Sequence, residues 1–284
     1  MYIFFIRFKQ LMFISLFFIS APLVTLFPSS VAAQANAKLI EFWDDSEADS
    51  IMTVAHGPWQ EILDAYVDDQ HPSGINRFDY EAVSDTDVVK LKQYIAYLQL
   101  LEPRQLNSSE AKAYWINFYN ALTIEVITDT VRDREIRSVR RLANRFLDRK
   151  TVNVVTKDLS MNDIQHGILR PIWNDARVHY ALTVGALGGG NLQKLAYTGE
   201  NVEQQLAKAE KEYLNHDRGI AVEDGRVIAS SVFDWYRRDF VETKSQLISY
   251  IAPKVEEGKR AQLIGLRRVR FDFDWTLNGP YEEQ

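Results

Sequence analysis

Apolar side chains recur every three or four residues along much of this chain, which is the spacing of an amphipathic helix. One such stripe runs from Val88 to Leu101 and stops before Pro103, a residue that ends helices because it lacks a backbone donor. The same spacing over 59–70 and 200–215 predicts two further helices. The chain is therefore expected to be mostly helical.

Residues 113–127 are apolar nearly all round, which is typical of a helix buried at the centre of a fold. Polar residues that can cap a helix start precede this segment and three others. The helix that begins near Ser160 is expected to stop before Pro171. The predicted caps are Asp85 or Thr86, Asn107 or Ser108 with Glu110, Ser160 with Asp163, and Ser231 with Asp234.

A small antiparallel sheet is predicted near the carboxyl end. Asp224-Gly225 between two apolar triplets is a strong hairpin signal. Residues 267–275 alternate as a closing strand, and 178–186 are apolar enough to be a strand or a buried helix. Gly188-Gly189-Gly190 is expected to be a flexible loop. Together these elements predict an α+β fold, a mostly helical single domain with a buried central helix.

The amino terminus has the pattern of a secretory signal peptide. Arg7 and Lys9 precede an apolar run over 11–26, and small residues around 31–37 fit a signal-peptidase site. We therefore expect a signal peptide over 1–35, with an uncleaved anchor as the alternative, and a periplasmic or secreted protein. Residues 36–58 would be an acidic lead-in and 59–284 one globular domain, with no membrane span after cleavage.

Charge and cysteine content narrow the possible functions. Removing residues 1–35 takes away two basic residues and no acidic one, so 31 basic and 39 acidic side chains remain, a net charge of −8. This balance disfavours nucleic acid as a partner. The chain has no cysteine, which excludes disulfides and thiol catalysis. No metal-ligand or cofactor motif is found, so neither is expected.

Three short motifs contain the candidate site residues. Asn117 and Asn120 lie three apart on the buried helix. They would either orient a substrate or a catalytic histidine, or tie loops to that helix. His179 lies in an apolar stretch and would be a general base or a core histidine, and Asp239 would orient it or pair with an arginine. The remaining candidates for ligand contacts are Tyr119, Arg177 and Trp235.

A basic segment runs from Arg132 to Lys150, with eight basic and three acidic residues. In an acidic protein it would either bind an anionic surface, such as lipid headgroups or a cell-wall polymer, or be a solvated helix face paired with nearby acids.

Several of these motifs occur together in one known family. The sequence resembles the domain of unknown function 547 family in blocks that run from about Phe78 to Asn278. The blocks are Phe78-Asp79-Tyr80, residues 113–124 with Trp115-Ile116-Asn117-Phe118-Tyr119-Asn120, Val178-His179-Tyr180-Ala181-Leu182, Ala196-Tyr197-Thr198, Phe233-Asp234-Trp235-Tyr236 and Phe273-Asp274-Trp275-Thr276-Leu277-Asn278. The resemblance implies a widespread module, often exported in bacteria, without an established activity.

This chain departs from the family pattern at one point. Many members carry two cysteines shortly after the histidine motif, and the matching positions here are Val184 and Gly189. A thiol mechanism that the resemblance would allow is therefore excluded. Two hypotheses remain: a non-catalytic module that binds a small molecule, glycan or protein, and a hydrolase-like enzyme that uses His179 as general base.

Overall fold

The computed structural model describes residues 37–280, which belong to one compact unit. The predicted signal peptide over 1–35 lies outside the described residues. Within 37–280, no helix is long and apolar enough to cross a membrane. The fold is mostly helical with small sheets, as the sequence predicts.

The helices and strands are short, apart from three long helices. The helices are α1 Gly57–Tyr66, α2 Asp85–Gln99, α3 Ser108–Asp133, α4 Arg140–Phe146, α5 Arg170–Trp173, α6 Val178–Ala181, α7 Val202–Asn215, α8 Val232–Trp235, α9 Arg237–Phe240, α10 Leu247–Ile251 and α11 Glu257–Leu263. The strands are β1 Val67–Asp68, β2 Arg77–Phe78, β3 Val152–Val154, β4 Lys157–Leu159, β5 Ile220–Glu223, β6 Arg226–Ser230 and β7 Val269–Asp272.

The central helix α3 is buried along most of its length, as its apolar sequence predicts. Asn107 caps it by accepting a hydrogen bond from the Glu110 amide at 3.0 Å. The Glu110 carboxylate does not return to the cap, as a capping box would require. It is buried and accepts from the amides of Val54 at 2.8 Å and Gly199 at 2.6 Å, so it fastens two loops to the start of α3.

Two other predicted caps are wrong and one is confirmed. Ser84, one residue before the predicted Asp85, caps α2 by accepting from the Asp87 amide. Ser231 makes no side-chain cap on α8. Ser160 and Asp163 do bond reciprocally, since each side chain accepts from the other residue's backbone amide at 2.8–3.0 Å.

The helix after Ser160 does not stop before Pro171. Its middle is a π-helical segment, Asp163–Leu169, in which the Arg170 amide donates to the Gln165 carbonyl five residues back. Pro171 cannot donate to the Gly167 carbonyl, and the Ile40 amide of the lead-in does so instead at 2.9 Å. The helix therefore continues to Trp173, because the chain supplies the missing donor from elsewhere.

The C-terminal sheet has the order β5-β6-β7. β5 and β6 form the predicted hairpin, with Asp224 and Gly225 at positive φ in its turn. β7 joins β6 in parallel and is shorter than the alternation suggested. Beyond β7, the chain runs on as isolated bridges and loop contacts: Leu277 donates to the Arg137 carbonyl, and Phe78 donates to the Asn278 carbonyl.

The glycine triplet is a buried packing element and not the flexible loop that its composition suggests. A Cβ on Gly188 would lie 2.7 Å from the Asp274 backbone nitrogen, and one on Gly190 would lie 2.2 Å from the Tyr180 carbonyl oxygen. Two backbone segments thus approach each other here at distances that leave no space for a side chain.

Apolar side chains form two core clusters. One surrounds α3, and the other lies between the C-terminal sheet and α7–α10. The boundary runs through α6, where Tyr180 belongs to the second cluster and Ala181 to the first. The candidate site lies on this seam.

Candidate functional site

Five polar or aromatic residues meet at the seam, and we call them the seam cluster: His166, Arg170, His179, Tyr236 and Asp239. The π-helical segment and α5 supply the first two, α6 supplies His179, and α9 with the residue before it supplies the last two. Two of the predicted candidates, His179 and Asp239, are thus brought together from positions 60 residues apart.

Asp239 is the centre of the seam cluster. Arg170 donates to both of its oxygens, from Nε to Oδ2 at 2.6 Å and from Nη2 to Oδ1 at 2.9 Å. His179 Nε2 donates to Oδ2 at 2.6 Å. Arg170 also donates from Nη1 to Nδ1 of His166 at 3.0 Å. This bidentate pair with a third donor is the strong, geometrically specific form of a charge-assisted hydrogen bond.

Tyr236 forms an aromatic wall of the cluster. Its ring stacks on His179 at 4.2 Å between centroids and 8° between planes. The Arg170 guanidinium lies over the same ring at 4.9 Å from its centroid. The ring therefore fixes the planes of both partners of Asp239.

The charges of the cluster follow from burial and pairing. Burial opposes ionisation of Asp239, but the hydrogen bonds from His179 and Arg170 outweigh it and lower the pKa of Asp239 to about 2. Burial lowers the pKa of His179 and is only partly offset by Asp239. Burial, together with the Arg170 charge, lowers the pKa of His166 to about 3. At neutral pH the cluster is thus an arginine–aspartate ion pair flanked by two neutral imidazoles.

His179 and Arg170 are the buried members of the cluster, and the other three are partly exposed. The side chain of His179 is 1% exposed, whereas that of Asp239 is 20% exposed. His179 is therefore one hydrogen bond from solvent, through Asp239. Its other ring nitrogen, Nδ1, is buried and has no hydrogen-bond partner among the described residues. Such an orphaned acceptor is costly and is a common mark of a functional position.

The two amides of α3 do not reach the seam cluster. Asn117 donates to the Tyr197 carbonyl at 2.7 Å and accepts from the Tyr197 amide at 3.1 Å. Asn120 donates to the Ala181 carbonyl at 3.0 Å and accepts from the Thr183 amide at 2.9 Å. Both side chains thus tie loops to the central helix, which is the second of the two roles predicted for them.

The other three ligand-contact candidates are dispersed. Tyr119 is fully buried, and its hydroxyl has no partner among the described residues. Arg177 pairs with Asp175 at 2.7 Å and with Glu203 at 2.6 Å. Trp235 is half-buried and packs against aromatic side chains that follow β7. None of the three contacts the Arg170–Asp239 pair in the hydrogen bonds and ion pairs of the described residues.

Sequence reasoning missed Arg170, His166 and Tyr236. One signal was available for the first two. Arg170 follows the apolar pair Ile168-Leu169 and comes four residues after His166, so both lie on a segment that reads as buried. A buried arginine requires an acidic partner, but no sequence pattern indicates that the partner is Asp239.

The two positions at which the family resemblance places cysteines lie side by side. A Cβ built on Gly189 would be 3.1 Å from Cγ2 of Val184. The valine methyl group thus fills space next to a residue that has no side chain. The two positions are thus close enough for cysteines placed there to approach each other.

The basic segment is exposed for most of its length. Arg132 pairs with Asp85, and Arg137 pairs with Glu135 at 3.0 Å. The remaining arginines and the lysine are exposed and form no ion pair with a described residue; they are Arg134, Arg140, Arg141, Arg145, Arg149 and Lys150. Over the described range there is also no group of three histidine or acidic side chains that could hold a metal ion.

Fold and site together define a mostly helical α+β domain that an arginine–aspartate–histidine cluster holds together at its seam. Residues 103–214 match the model of a family described as a protein of unknown function, DUF547. That segment, which includes α3, Arg170 and His179 but not Asp239, is similar to this family and covers less than half of the chain. The comparisons with curated proteins and with solved structures gave no match.

Proposed function

We propose that the chain is an exported, non-catalytic module that binds a small molecule, a glycan or a protein. The observation that carries this proposal is the enclosure of His179. Its side chain is 1% exposed, and its free nitrogen contacts no hydroxyl among the described residues. A general base needs a nucleophile within about 2.6–3.2 Å.

A specific observation favours one alternative, the hydrolase-like enzyme. His179 and Asp239 lie 2.6 Å apart in the relation of a base and the group that orients it. In that function the orphaned Nδ1 would take a proton from a water molecule. His179 would be the base, and Asp239 would hold its ring and tautomer.

One experiment separates the two functions. Thermal shift of residues 36–284 is measured against sugars, cell-wall fragments, small metabolites and divalent metals, and the same mixtures are analysed for products. A ligand at a hundredfold over its Kd should add about 2.7 kcal/mol to the free energy of unfolding. The binding module predicts a shift without products. Turnover that His179→Ala abolishes and His71→Ala leaves intact would contradict the proposal in favour of the hydrolase.

Export is the part of the proposal that depends on residues 1–35. Fractionation of the native host, followed by N-terminal sequencing, should find a chain that begins near residue 36 outside the cytoplasm. A full-length chain in the cytoplasmic fraction would contradict export.

A macromolecular partner would be anionic and would bind the basic segment. The variant Arg140→Gln/Arg141→Gln should weaken binding to phosphatidylglycerol vesicles at low salt. The matched control is Arg267→Gln/Arg268→Gln, which removes two exposed arginines elsewhere. Equal losses of vesicle binding in the two variants would indicate nonspecific attraction and would contradict a site on this segment.

A further inference from the structure

Three aromatic rings form a patch on the surface beside the seam cluster. Trp235 comes from α8, and Phe273 and Trp275 come from the segment after β7. Their ring centroids lie 4.6–5.6 Å apart, and each of the three side chains is partly exposed. The Trp235 ring also meets the Tyr236 ring at 6.4 Å between centroids. We call the three rings the aromatic patch, and neighbouring apolar rings at a surface are typical of a binding surface.

The basic segment passes next to the aromatic patch. The Val139 amide donates to the Trp275 carbonyl at 3.1 Å, so the backbones of the two segments are in contact. Helix α4 begins at Arg140, directly after Val139. Arg140 and Arg141 are exposed and form no ion pair with a described residue. Two exposed positive charges thus follow directly after the contact with Trp275.

A further cation lies beside the strand that leads into the patch. Lys244 is exposed, and its Nζ lies over the Phe271 ring at 4.6 Å from the centroid. Two acids of this part of the chain, Asp272 and Asp274, are also exposed. Asp272 lies 3.9 Å from Arg270, which offsets part of its charge. The basic segment, with eight basic and three acidic residues, outweighs both acids, so this surface carries a net positive charge.

We infer that the aromatic patch and the basic segment together dock the protein on an anionic lipid bilayer. Indole rings favour the interface between headgroups and acyl chains, where an apolar ring and a polar N–H are both accommodated. Arginines bind the phosphate groups of anionic lipids. An anionic polymer in solution would satisfy the arginines but would leave the rings in water. An uncharged apolar partner would cover the rings but would not use the charges.

This inference rests on the proposed export and on the anionic partner proposed for the basic segment, and it adds the apolar half of the contact. The processed chain, which begins near residue 36, is sedimented with vesicles that contain equal parts of phosphatidylglycerol and phosphatidylcholine. We expect binding at low salt and much weaker binding to vesicles of phosphatidylcholine alone.

Two double variants separate the two halves of the contact. Trp235→Ala/Trp275→Ala should weaken vesicle binding about tenfold, because less apolar surface enters the interface. Arg140→Gln/Arg141→Gln should weaken it by about tenfold or more. The matched control is Trp173→Ala, which should leave binding unchanged. Trp173 is also half-buried, but it bonds to Ser108 at the start of α3 and has no ring contact with the patch.

A second measurement keeps the test valid if the alanine variant does not fold. Brominated acyl chains quench tryptophan fluorescence when an indole ring enters the bilayer. The processed chain should be quenched on vesicles that contain such lipids. Trp235→Phe/Trp275→Phe keeps two aromatic rings for packing and should lose most of the quenching, whereas Trp173→Phe should retain it.

Each contrary result has a distinct meaning. Suppose that Arg140→Gln/Arg141→Gln weakens binding, while the tryptophan variants leave binding and quenching unchanged. This result would overturn the bilayer docking but would leave the anionic partner of the basic segment intact. Equal binding to both vesicle types would overturn the inference, because charge would then have no part in it. Absence of binding to either vesicle type would contradict both the inference and the proposed anionic partner.

Discussion

Asp239 neutralises a guanidinium that is otherwise enclosed in protein. The Arg170 side chain is 3% exposed and cannot recover its hydration if the carboxylate is removed. Breaking one half of a buried pair costs more than removing both halves, because a single charge stays behind in a poor solvent.

Asp239→Asn should therefore lower the free energy of unfolding by about 3 kcal/mol, measured by urea denaturation. Asp234→Asn in the same segment is the control, since Asp234 is more exposed and lies 3.5 Å from its arginine. The double variant Arg170→Met/Asp239→Leu should lower the free energy of unfolding by less than the sum of the two single substitutions. Additive losses would show that the pair is not energetically coupled.

The contact between Val184 and Gly189 predicts a disulfide in a variant of this chain. Cβ atoms of bridged cysteines lie about 3.5–4.5 Å apart, which the observed proximity allows. Val184→Cys/Gly189→Cys should oxidise spontaneously and gain about 2 kcal/mol over its reduced form in the chain-entropy model. Thiol titration and the Tm in oxidant and reductant check this against a background without native cysteine. Two free thiols after oxidation would contradict the predicted geometry.

At the residue scale, the sequence identified side chains with the chemistry of a site but did not predict which of them are in contact. His179 and Asp239 were candidates because imidazole and carboxylate chemistry is recognisable from residue type. Their contact is set by the position of α9 relative to α6, and short elements of four residues carry no periodic signal that would place them.

At the scale of elements, Gly167 connects the lead-in to the π-helical segment. The Lys38 and Ile40 amides donate to the His166 and Gly167 carbonyls, both at 2.9 Å. A Cβ on Gly167 would lie 2.5 Å from Cδ1 of Ile40, so a side chain there has to displace Ile40.

Gly167→Ala should therefore loosen the lead-in and cost about 1–3 kcal/mol by overpacking. Amide hydrogen exchange should become faster at Lys38 and Ile40. Gly258→Ala in α11 has open space around its new methyl group and serves as the control, neutral or slightly stabilising. Unchanged protection at Ile40 in Gly167→Ala would mean that other contacts hold the lead-in.

Long helices and the hairpin follow from local sequence, and the connections between them do not. The all-apolar α3, the Asn107 cap and the Asp224-Gly225 turn each carry their own signal. The helix that runs through Pro171 does not, because the hydrogen bond that Pro171 cannot make to the Gly167 carbonyl is supplied by Ile40, 127 positions before Gly167 in the chain. The start of the glycine triplet looks flexible in sequence for the same reason: the Asp274 backbone that fills the space beside Gly188 lies far away along the chain.

At the scale of the whole molecule, the histidines make the fold sensitive to acid. Burial lowers the pKa of His56 to about 4 and of His166 to about 3, and it also lowers the pKa of His179 and of His216. In the unfolded chain these side chains take up protons as the pH falls through about 6.5, whereas in the folded chain they stay neutral. The unfolded state then binds more protons, so the free energy of unfolding decreases as the pH falls.

The free energy of unfolding should be nearly constant above about pH 7 and should decrease below about pH 6.5. Each fully buried histidine should contribute up to about 1.4 kcal/mol per pH unit to this decrease. Asp239 adds a further loss as the pH falls from about 4 towards 2, because its folded pKa is lowered. Urea denaturation across this range measures the slope, and His166→Asn should make it shallower. A flat profile between about pH 7 and 4 would show that these imidazoles are accessible to protons.

The C-terminal segment has a consequence for the order of events during synthesis. Residues 269–278 complete the sheet beside β6, bond to the loop at Leu187 and Gly188, and reach back to Tyr80, 198 positions earlier. A ribosome makes these residues after 1–268, so Phe78 and Tyr80 lack their Asn278 partner until this segment has been synthesised. A message truncated before residue 269 should therefore yield aggregated or degraded product, even though most of the core has been made.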